Sequence, residues 1–509
     1  MNSIALNVEN ERHFSTRIQK FFTRYQISSI LKQSNAYKKQ GFAVVQIVQY
    51  LFTLVFQGRS MFLDMQTEKS PDFGKDTVYR LKNADYINWR RFTSLLSSRI
   101  IRDTIVPTIS EDRRCAFVVD DSVYERNGSR KVELLTRVYD HANKKYLNGF
   151  RMLTLSWSDG ATLLPVNSCL LSSENPKARI NEAVEKQAKT NAAKARELAQ
   201  QKATEVVPEL IKEAQNAGIK ANYVLFDSWF SSPKEILSMK ELGLDVVAIV
   251  KKSSKIHYLH EGQKQSVKDI FARSKKRRGR SRYLLSAEIE IPSAEKNTPA
   301  KLVFIRNRRN RNDYLVLLST DTNLSEDEII QLYGKRWDIE VFFKVCKSLL
   351  RLTKECRSLS YDAMCAHTAI VFMRYMFLAV GIREEKDIRT AGPMFCLVAD
   401  ELADISFAEA MEKLQVFLSK LMDGFNFSKE DIVAFLIDFV ASLPEVFADF
   451  IIFLPYYWVF HTTIIRRQPP LFQESAVVFF RAVLRQPLFL SPAQFTLTPE
   501  RLTNSVNSI

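Results

Sequence analysis

One stretch of the chain, residues 325–350, carries polar side chains suited to binding phosphate beside an acid. Read as one continuous amphipathic helix, it places five of them within an arc of about 80°. These are Tyr333, Arg336, Glu340, Lys344 and Lys347. A guanidinium can fork onto a phosphate, and ammonium groups add point charges around the single carboxylate. The alternative is an exposed helix on which Glu340 forms salt bridges with Arg336 and Lys344, which the four-residue spacing permits.

The same segment indicates how this polar face would be held. Ser325 is followed three residues later by Glu328, a capping-box pattern that predicts where the helix begins. The side opposite the polar face is apolar and would anchor the helix. It carries Ile339, Phe342, Val345 and Leu349.

Two further carboxylates follow apolar runs that predict buried strands. Asp120 ends the run CAFVV, and Asp227 follows NYVLF. Ligands gather at the carboxyl ends of strands in α/β sheets, so these two acids and Glu340 could meet there. Three carboxylates together predict a site for Mg²⁺ or Mn²⁺, with two ions. Taken singly, each acid is more often structural, because Asp is common in turns.

Asp120 has an immediate competitor for the role of metal ligand. Asp121 follows it directly, and successive residues of a strand face opposite sides of the sheet, so only one of the two would face the metals. We favour Asp120 because it directly ends the apolar run, and Asp121 remains the alternative.

These residues lie in motifs that resemble a known family. YGKRWDIEVFFKVCK has the spacing Tyr-x2-Arg-x3-Glu-x6-Lys. This resembles the signature of the DDE transposases of bacterial insertion sequences, in the insertion sequence four group. FVVDDS resembles the first-aspartate block of that group and VLFDSWF resembles the second. The resemblance covers roughly residues 114–351.

The resemblance implies a fold and a set of residue roles. The fold would be a ribonuclease H-like core with a β-strand insertion between the second acid and the glutamate. The catalytic, metal-binding triad would be Asp120, Asp227 and Glu340. Tyr333 and Arg336 would hold DNA phosphates, and Lys347 would contact the backbone near the cleaved bond. Trp229 would stack on a flipped base, and the alternative for Trp229 is a place in the core.

Composition and charge support a polyanionic partner. The chain has 509 residues, 46% of them hydrophobic, a formal charge of +16 and a pI near 9.4. Such a length predicts two to four domains, and the charge favours DNA or RNA as a partner. The six cysteines show no CxxC spacing and no paired histidines, so we expect reduced thiols in a cytoplasmic protein. Neither a secretory signal nor a membrane span is expected, since acids interrupt the apolar residues 434–460.

Changes in pattern along the chain predict an α/β fold of five regions. A helical, DNA-binding domain is expected over residues 1–110, and the two parts of the catalytic core over 111–250 and 321–358. A β-rich basic insertion is expected over 251–320, and a C-terminal helical region over 359–509. Within the core we predict a hairpin turning at residues 158–160 and one long basic helix over residues 181–217, kinked at Pro208.

Cations cluster within the insertion. The run 273–282 contains Lys275, Lys276, Arg277, Arg278 and Arg280, and a second run covers residues 306–311. Two such runs within one strand-rich segment predict a groove for nucleic acid, and solvated loops are the alternative.

Together these features predict a cut-and-paste DNA transposase that uses Mg²⁺ or Mn²⁺. The resemblance implies its partners, which would be double-stranded DNA carrying terminal inverted repeats, target DNA, and a second copy of the chain in a homodimer. The resemblance implies a bacterial protein that associates with the nucleoid when acting on DNA. One alternative is a structure-selective nuclease with the same core, and another is a catalytically dead DNA-binding protein. A catalytically dead protein would be expected to lack an acid or another signature residue, and none is missing here.

Overall fold

A computed structural model describes residues 17–66, 71–110, 113–141, 143–278, 281–307 and 313–384, together with residues 391, 394–396, 398 and 399. The chain divides into two compact units, residues 1–408 and 409–509, and every described residue belongs to the first. The apolar residues 434–460 and most of the predicted C-terminal helical region lie outside the described residues.

Six helices precede the first strand in the described part of the chain, in agreement with the helical pattern predicted there. They are α1 (Arg17–Arg24), α2 (Ile27–Gln33), α3 (Val44–Thr53), α4 (Met61–Asp64), α5 (Lys75–Lys82) and α6 (Trp89–Ile100). Helix α6 begins at its N-cap Asn88, whose side chain accepts from the backbone of Arg91. It continues as a π-helix and a 3₁₀ turn, Ile101–Ile105 and Val106–Thr108.

An eleven-stranded sheet forms the centre of the unit. Its first strands are β1 (Ala116–Glu125), β2 (Thr136–Asp140), β3 (Lys145–Ser158), β4 (Leu163–Leu171), β5 (Tyr223–Phe226) and β6 (Asp245–Ile249). The others are β7 (His257–His260), β8 (Gln263–Ser266), β9 (Tyr283–Ile291), β10 (Thr298–Arg306) and β11 (Tyr314–Ser319). The order is β2-β3-β1-β5-β6-β11-β10-β9-β7-β8, with β4 paired to β3.

The sheet is mixed, and its parallel part lies at the centre. Strands β1, β5 and β6 pair in parallel, whereas β3 and β11 join them antiparallel on either side. The side chains of β5 are buried throughout, as expected for a strand covered on both faces. This mixed α/β sheet with flanking helices confirms the predicted fold class.

The predicted hairpin and insertion strands are present, but β1 is longer than predicted. β3 and β4 join at Ser158, Asp159 and Gly160, the predicted turn. The insertion strands extend the central sheet, because β11 pairs with β6. The expectation that the first strand ends at Asp120 was wrong, since pairing with β3 carries β1 on to Glu125.

The remaining helices correct two further predictions. They are α7 (Asn191–Ala199), α8 (Ala203–Asn216), α9 (Pro233–Glu241), α10 (Val267–Arg273), α11 (Glu326–Gly334), α12 (Asp338–Ser348) and α13 (Tyr361–Glu384). The single helix predicted over residues 181–217 is two shorter helices, and Pro208 lies inside α8. The segment 251–320, expected to be β-rich, contains one described helix besides its strands, α10. The continuous helix predicted over 325–350 is interrupted by a 3₁₀ turn, Lys335–Trp337, directly after Gly334, a poor helix former.

One described helix, α13, is long and apolar enough to span a membrane. Most of it is buried inside the protein, which is typical of a core helix. Its Arg374 is fully buried and pairs with Glu355 at 2.6 Å. The six thiols are free, and three of them are buried.

Candidate active site

The first two acids lie at neighbouring parallel strands, since Asp120 is in β1 and Asp227 directly follows β5. Val118 of β1 pairs with Leu225 of β5. The pairing ends there, and continuing its register by two residues would bring Asp120 level with Asp227. The charge of Asp227 contributes to the raised pKa of Asp120, which agrees with their proximity.

Asp120 and Asp121 face opposite sides of β1. Asp120 accepts a hydrogen bond from Arg336, and Ser122, two residues further along, accepts one from Lys347 at 2.7 Å. Asp120 and Ser122 therefore face the segment that carries Glu340. Asp121 instead forms an ion pair with Arg151 of β3. This geometry favours Asp120 over Asp121 as the acid that shares a site with Glu340.

Arg336 connects the first acid to the third. Its Nη1 lies 2.9 Å from Asp120 Oδ2, and its Nη2 lies 2.6 Å from Glu340 Oε1. The i,i+4 salt bridge between Arg336 and Glu340, considered above as an alternative, is thus present, but the same guanidinium also reaches across to the sheet. Arg336 lies in the 3₁₀ turn, and only 11% of its side chain is exposed. It is therefore part of the site rather than a surface residue.

The cluster has a distinct electrostatic character. Burial raises the pKa of Asp120 from its ordinary value of 3.8 to about 6, and the Arg336 charge opposes this shift. Burial also raises the pKa of Tyr333 to about 12, again opposed by Arg336. The Arg336 guanidinium carbon lies 5.9 Å from the centre of the Tyr333 ring. Tyr333 and Arg336 therefore lie together beside the acids.

The donor set fits a hard divalent cation in its chemistry. Three carboxylates are the ligands that such cations prefer, and a cation would relieve the accumulated negative charge around Asp120. However, in the described parts of the chain no three His, Cys, Asp or Glu side chains converge closely enough to hold one ion. Since the guanidinium of Arg336 bonds to both Asp120 and Glu340, joint coordination by these two acids requires Arg336 to move aside.

The two lysines of α12, Lys344 and Lys347, differ in their surroundings. Lys347 is partly buried and donates to Ser122, and burial lowers its pKa. Lys344 is exposed on the outer side of α12. On the apolar side, Ile339, Phe342 and Val345 lie in the core as predicted, whereas Leu349 is only partly buried. The capping box of Ser325 and Glu328 is confirmed at the start of α11.

Trp229 lies near this site and is not a core residue. Its side chain is 49% exposed, and its backbone N–H donates to Asp227 Oδ1 at 2.8 Å. The Arg151 guanidinium carbon lies 5.1 Å from the ring centre and the Lys251 ammonium lies 4.9 Å from it. The ring is thus held beside two cations.

Sequence reasoning missed three residues that contact the site. They are Ser122, Arg151 and Lys251. Ser122 could have been found from strand alternation, because it shares a face with Asp120. Arg151 and Lys251 carried no local signal, since only the pairing of strands brings them to Asp121 and Trp229.

The basic segment of the insertion lies on the surface. Lys275, Lys276, Arg277 and Arg278 are all exposed, whereas Arg280 lies outside the described residues, as do residues 308–311. Two of these cations rest on rings at the base of the segment, Lys276 on Phe271 and Arg277 on Tyr283. The segment is therefore accessible to a large partner.

Two cations of the N-terminal helices, Arg90 and Arg91, lie in intramolecular contacts. Arg90 pairs with Glu213 at 3.0 Å, and Arg91 donates to the backbone of Gln33 at 3.0 Å. A role of this region in DNA binding stays a prediction.

Comparison with protein families adds an independent finding. A family model described as DDE superfamily endonuclease matches residues 48–307, just over half of the chain. The chain belongs to this family. The match includes Asp120 and Asp227 and ends before Glu340 and the rest of the signature helix. None of the curated proteins searched matches the chain.

Membership of the DDE superfamily endonucleases indicates an enzyme that cleaves nucleic acid. Enzymes of this kind generally depend on divalent metal ions, which agrees with the carboxylate chemistry of the site.

Proposed function

We propose that this DDE superfamily endonuclease is a cut-and-paste DNA transposase. It cleaves double-stranded DNA at the ends of a mobile element and joins the freed ends to target DNA. The observation that carries the proposal is the joint arrangement of Asp120, Asp227 and Glu340. Asp120 lies on β1, Asp227 directly follows the adjacent parallel strand β5, and Arg336 links Glu340 to Asp120. The insertion sequence four signature, with its tyrosine, arginine, glutamate and lysine, supports the transposase assignment within the wider family.

Asp120, Asp227 and Glu340 would hold Mg²⁺ or Mn²⁺, in the two-ion form. Bound ions of this kind activate an attacking oxygen and stabilise the leaving oxygen in displacement at phosphorus. The chain's own cations serve the substrate. Arg336 can turn from the carboxylates to fork onto a DNA phosphate.

Lysines and a tryptophan extend this substrate surface. Lys347 is held by Ser122 next to the acids, so it would contact the backbone beside the cleaved bond. Lys344 and the exposed segment Lys275, Lys276, Arg277 and Arg278 would bind phosphates further away, together with Arg280. Trp229 presents an exposed ring on which an unstacked base can lie.

The assembly and location follow from the reaction proposed. Joining two element ends requires both ends in one complex, so a homodimer that binds two inverted repeats is the simplest assembly. We propose a cytoplasmic location, in contact with the bacterial nucleoid.

The test uses the purified full-length protein and a duplex that spans the inverted repeat beside its gene. Asp227→Asn is expected to abolish cleavage in Mg²⁺ while leaving DNA binding largely intact, because it removes a metal ligand without changing shape. Asp245→Asn is a matched control. Asp245 is the first residue of β6, so it lies at the other edge of the parallel strands from Asp227, outside the acidic cluster. Undiminished cleavage by Asp227→Asn would refute the metal role of this acid.

A second candidate function is a structure-selective nuclease that cuts without joining. The family description, which names endonuclease chemistry, is equally satisfied by this activity. Supplying a supercoiled target plasmid in the same reaction separates the two functions. Joined products support the transposase, whereas complete cleavage with no joined product supports the nuclease.

A further inference from the structure

The hairpin of β2 and β3 presents an exposed aromatic pair at one edge of the sheet. Tyr139 lies directly opposite Tyr146, with ring centres 5.1 Å apart in an edge-to-face arrangement. The two residues are 39% and 64% exposed. The ring of His141 lies 4.9 Å from that of Tyr139 and extends this cluster. Neighbouring Val138 is buried, so the hairpin is anchored and its rings face outward.

The hairpin also carries cations. The guanidinium carbon of Arg137 lies 5.3 Å from the centre of the Tyr146 ring. Lys144 and Lys145 are exposed at the turn, where the single acid of the segment, Asp140, accepts from Asn143. The hairpin therefore carries three permanent positive charges and one negative charge beside accessible aromatic faces.

The hairpin continues the strand that pairs with Asp120 and Ser122 of β1, because β3 belongs to both. β3 pairs with β1 as far as Gly149, and beyond that residue it pairs with β2 alone. A Cβ at Gly149 would lie 2.2 Å from the carbonyl oxygen of Tyr124, so this close crossing of the strands requires glycine. Burial lowers the pKa of Lys347, and the first of the charges that oppose this shift is Asp140. The turn of the hairpin is therefore within electrostatic reach of α12.

We propose that this hairpin is a DNA-binding element next to the active site, at which unpaired bases stack on Tyr139 and Tyr146 while Lys144 and Lys145 contact phosphates. The inference rests on the proposed function. Exposed rings interleaved with cations are the arrangement by which proteins hold single-stranded nucleic acid. A protein partner at this edge strand is the competing occupant, but the net positive charge favours DNA.

The experiment measures binding of the full-length protein to a fluorescent 20-nucleotide single strand and to the duplex of the same sequence. Replacing both tyrosines by alanine is expected to weaken single-strand binding by about 5-fold to 150-fold per ring that stacks a base, with a smaller effect on the duplex. The matched control, Tyr139→Phe with Tyr146→Phe, keeps the rings and should retain the affinity. Replacing Lys144 and Lys145 by serine should lower the dependence of log K on log salt by about 1.4.

Three outcomes would overturn the hairpin proposal. If the wild-type protein cleaves DNA but the double alanine variant binds single strands as tightly as wild type, the hairpin proposal alone is overturned. A change in sedimentation without a change in DNA affinity would assign the hairpin to a protein interface instead. Wild-type protein that neither binds nor cleaves any DNA probe would overturn the proposed function as well.

Discussion

Asp120→Asn is expected to make the protein more stable while abolishing its activity. In the folded protein the pKa of Asp120 is raised from 3.8 to about 6, mainly by burial. Because one pKa unit corresponds to about 1.4 kcal/mol, ionised Asp120 costs the folded state about 3 kcal/mol. The side chain is only 15% exposed, so solvent screening removes little of this cost. Asparagine keeps the shape and carries no charge.

The gain in stability must depend on pH in a defined direction. The folded state binds the Asp120 proton more tightly than the unfolded state does, so wild-type stability falls as pH rises from about 4 to about 6. Asp120→Asn removes this loss. Its free energy of unfolding should exceed that of wild type by up to about 3 kcal/mol at pH 8, and the difference should vanish near pH 4.

Urea unfolding with chelator present, at pH 4, 6 and 8, measures this difference. Asp121→Asn is the matched control, because it removes an ion pair with Arg151 on the other face of β1 and should give no such gain. Two results would refute the argument that burying the Asp120 charge destabilises the folded state. One is a variant less stable than wild type at pH 8, and the other is a stability difference that does not change with pH.

Three further perturbations test other parts of the molecule. Replacing residues 275–278 by serine should weaken DNA binding and lower the slope of log K against log salt by up to about 3.6, and an unchanged slope would exclude phosphate contacts. Affinity for Mg²⁺, measured by calorimetry, should fall as pH is lowered through about 6, since Asp120 must lose its proton to bind metal; constant affinity would exclude it as a ligand. Arg196→Met should lower the free energy of unfolding by about 3–5 kcal/mol, because it leaves Glu133 buried without its ion pair and Asp362 with Lys186 alone, at 3.6 Å. A loss below about 1 kcal/mol in urea would contradict this last expectation.

Local patterns in the sequence predicted most of the central elements. Apolar runs located the start of β1 and β5, and the residues at 158–160 located the turn between β3 and β4. The predictions failed where strand pairing overrides local signals. β1 continues past Asp120 through polar residues because β3 provides a partner for its backbone, and no apolar pattern marks that extension.

The candidate site shows the same division between local and tertiary signals. Helical spacing correctly grouped Arg336 with Glu340, and a salt bridge joins them. The second bond of Arg336, to Asp120, depends on how the helical segment packs on the sheet, and spacing carries no information about that. The 3₁₀ turn that contains Arg336 also escaped prediction, because the difference between 3.0 and 3.6 residues per turn is small over three residues.

Two adjacent aspartates on β1 contact different partners, because successive side chains of a strand face opposite sides of the sheet. Asp120 meets Arg336 on the face of the signature helix, and Asp121 meets Arg151, whose guanidinium also lies near Trp229. A single strand thus supports the acidic cluster through one residue and the exposed aromatic ring through the next. Moving β1 by one residue in its register would exchange both sets of contacts. Its long pairing with β3 therefore does more than stabilise the sheet, since it holds the acids and the ring in fixed relation.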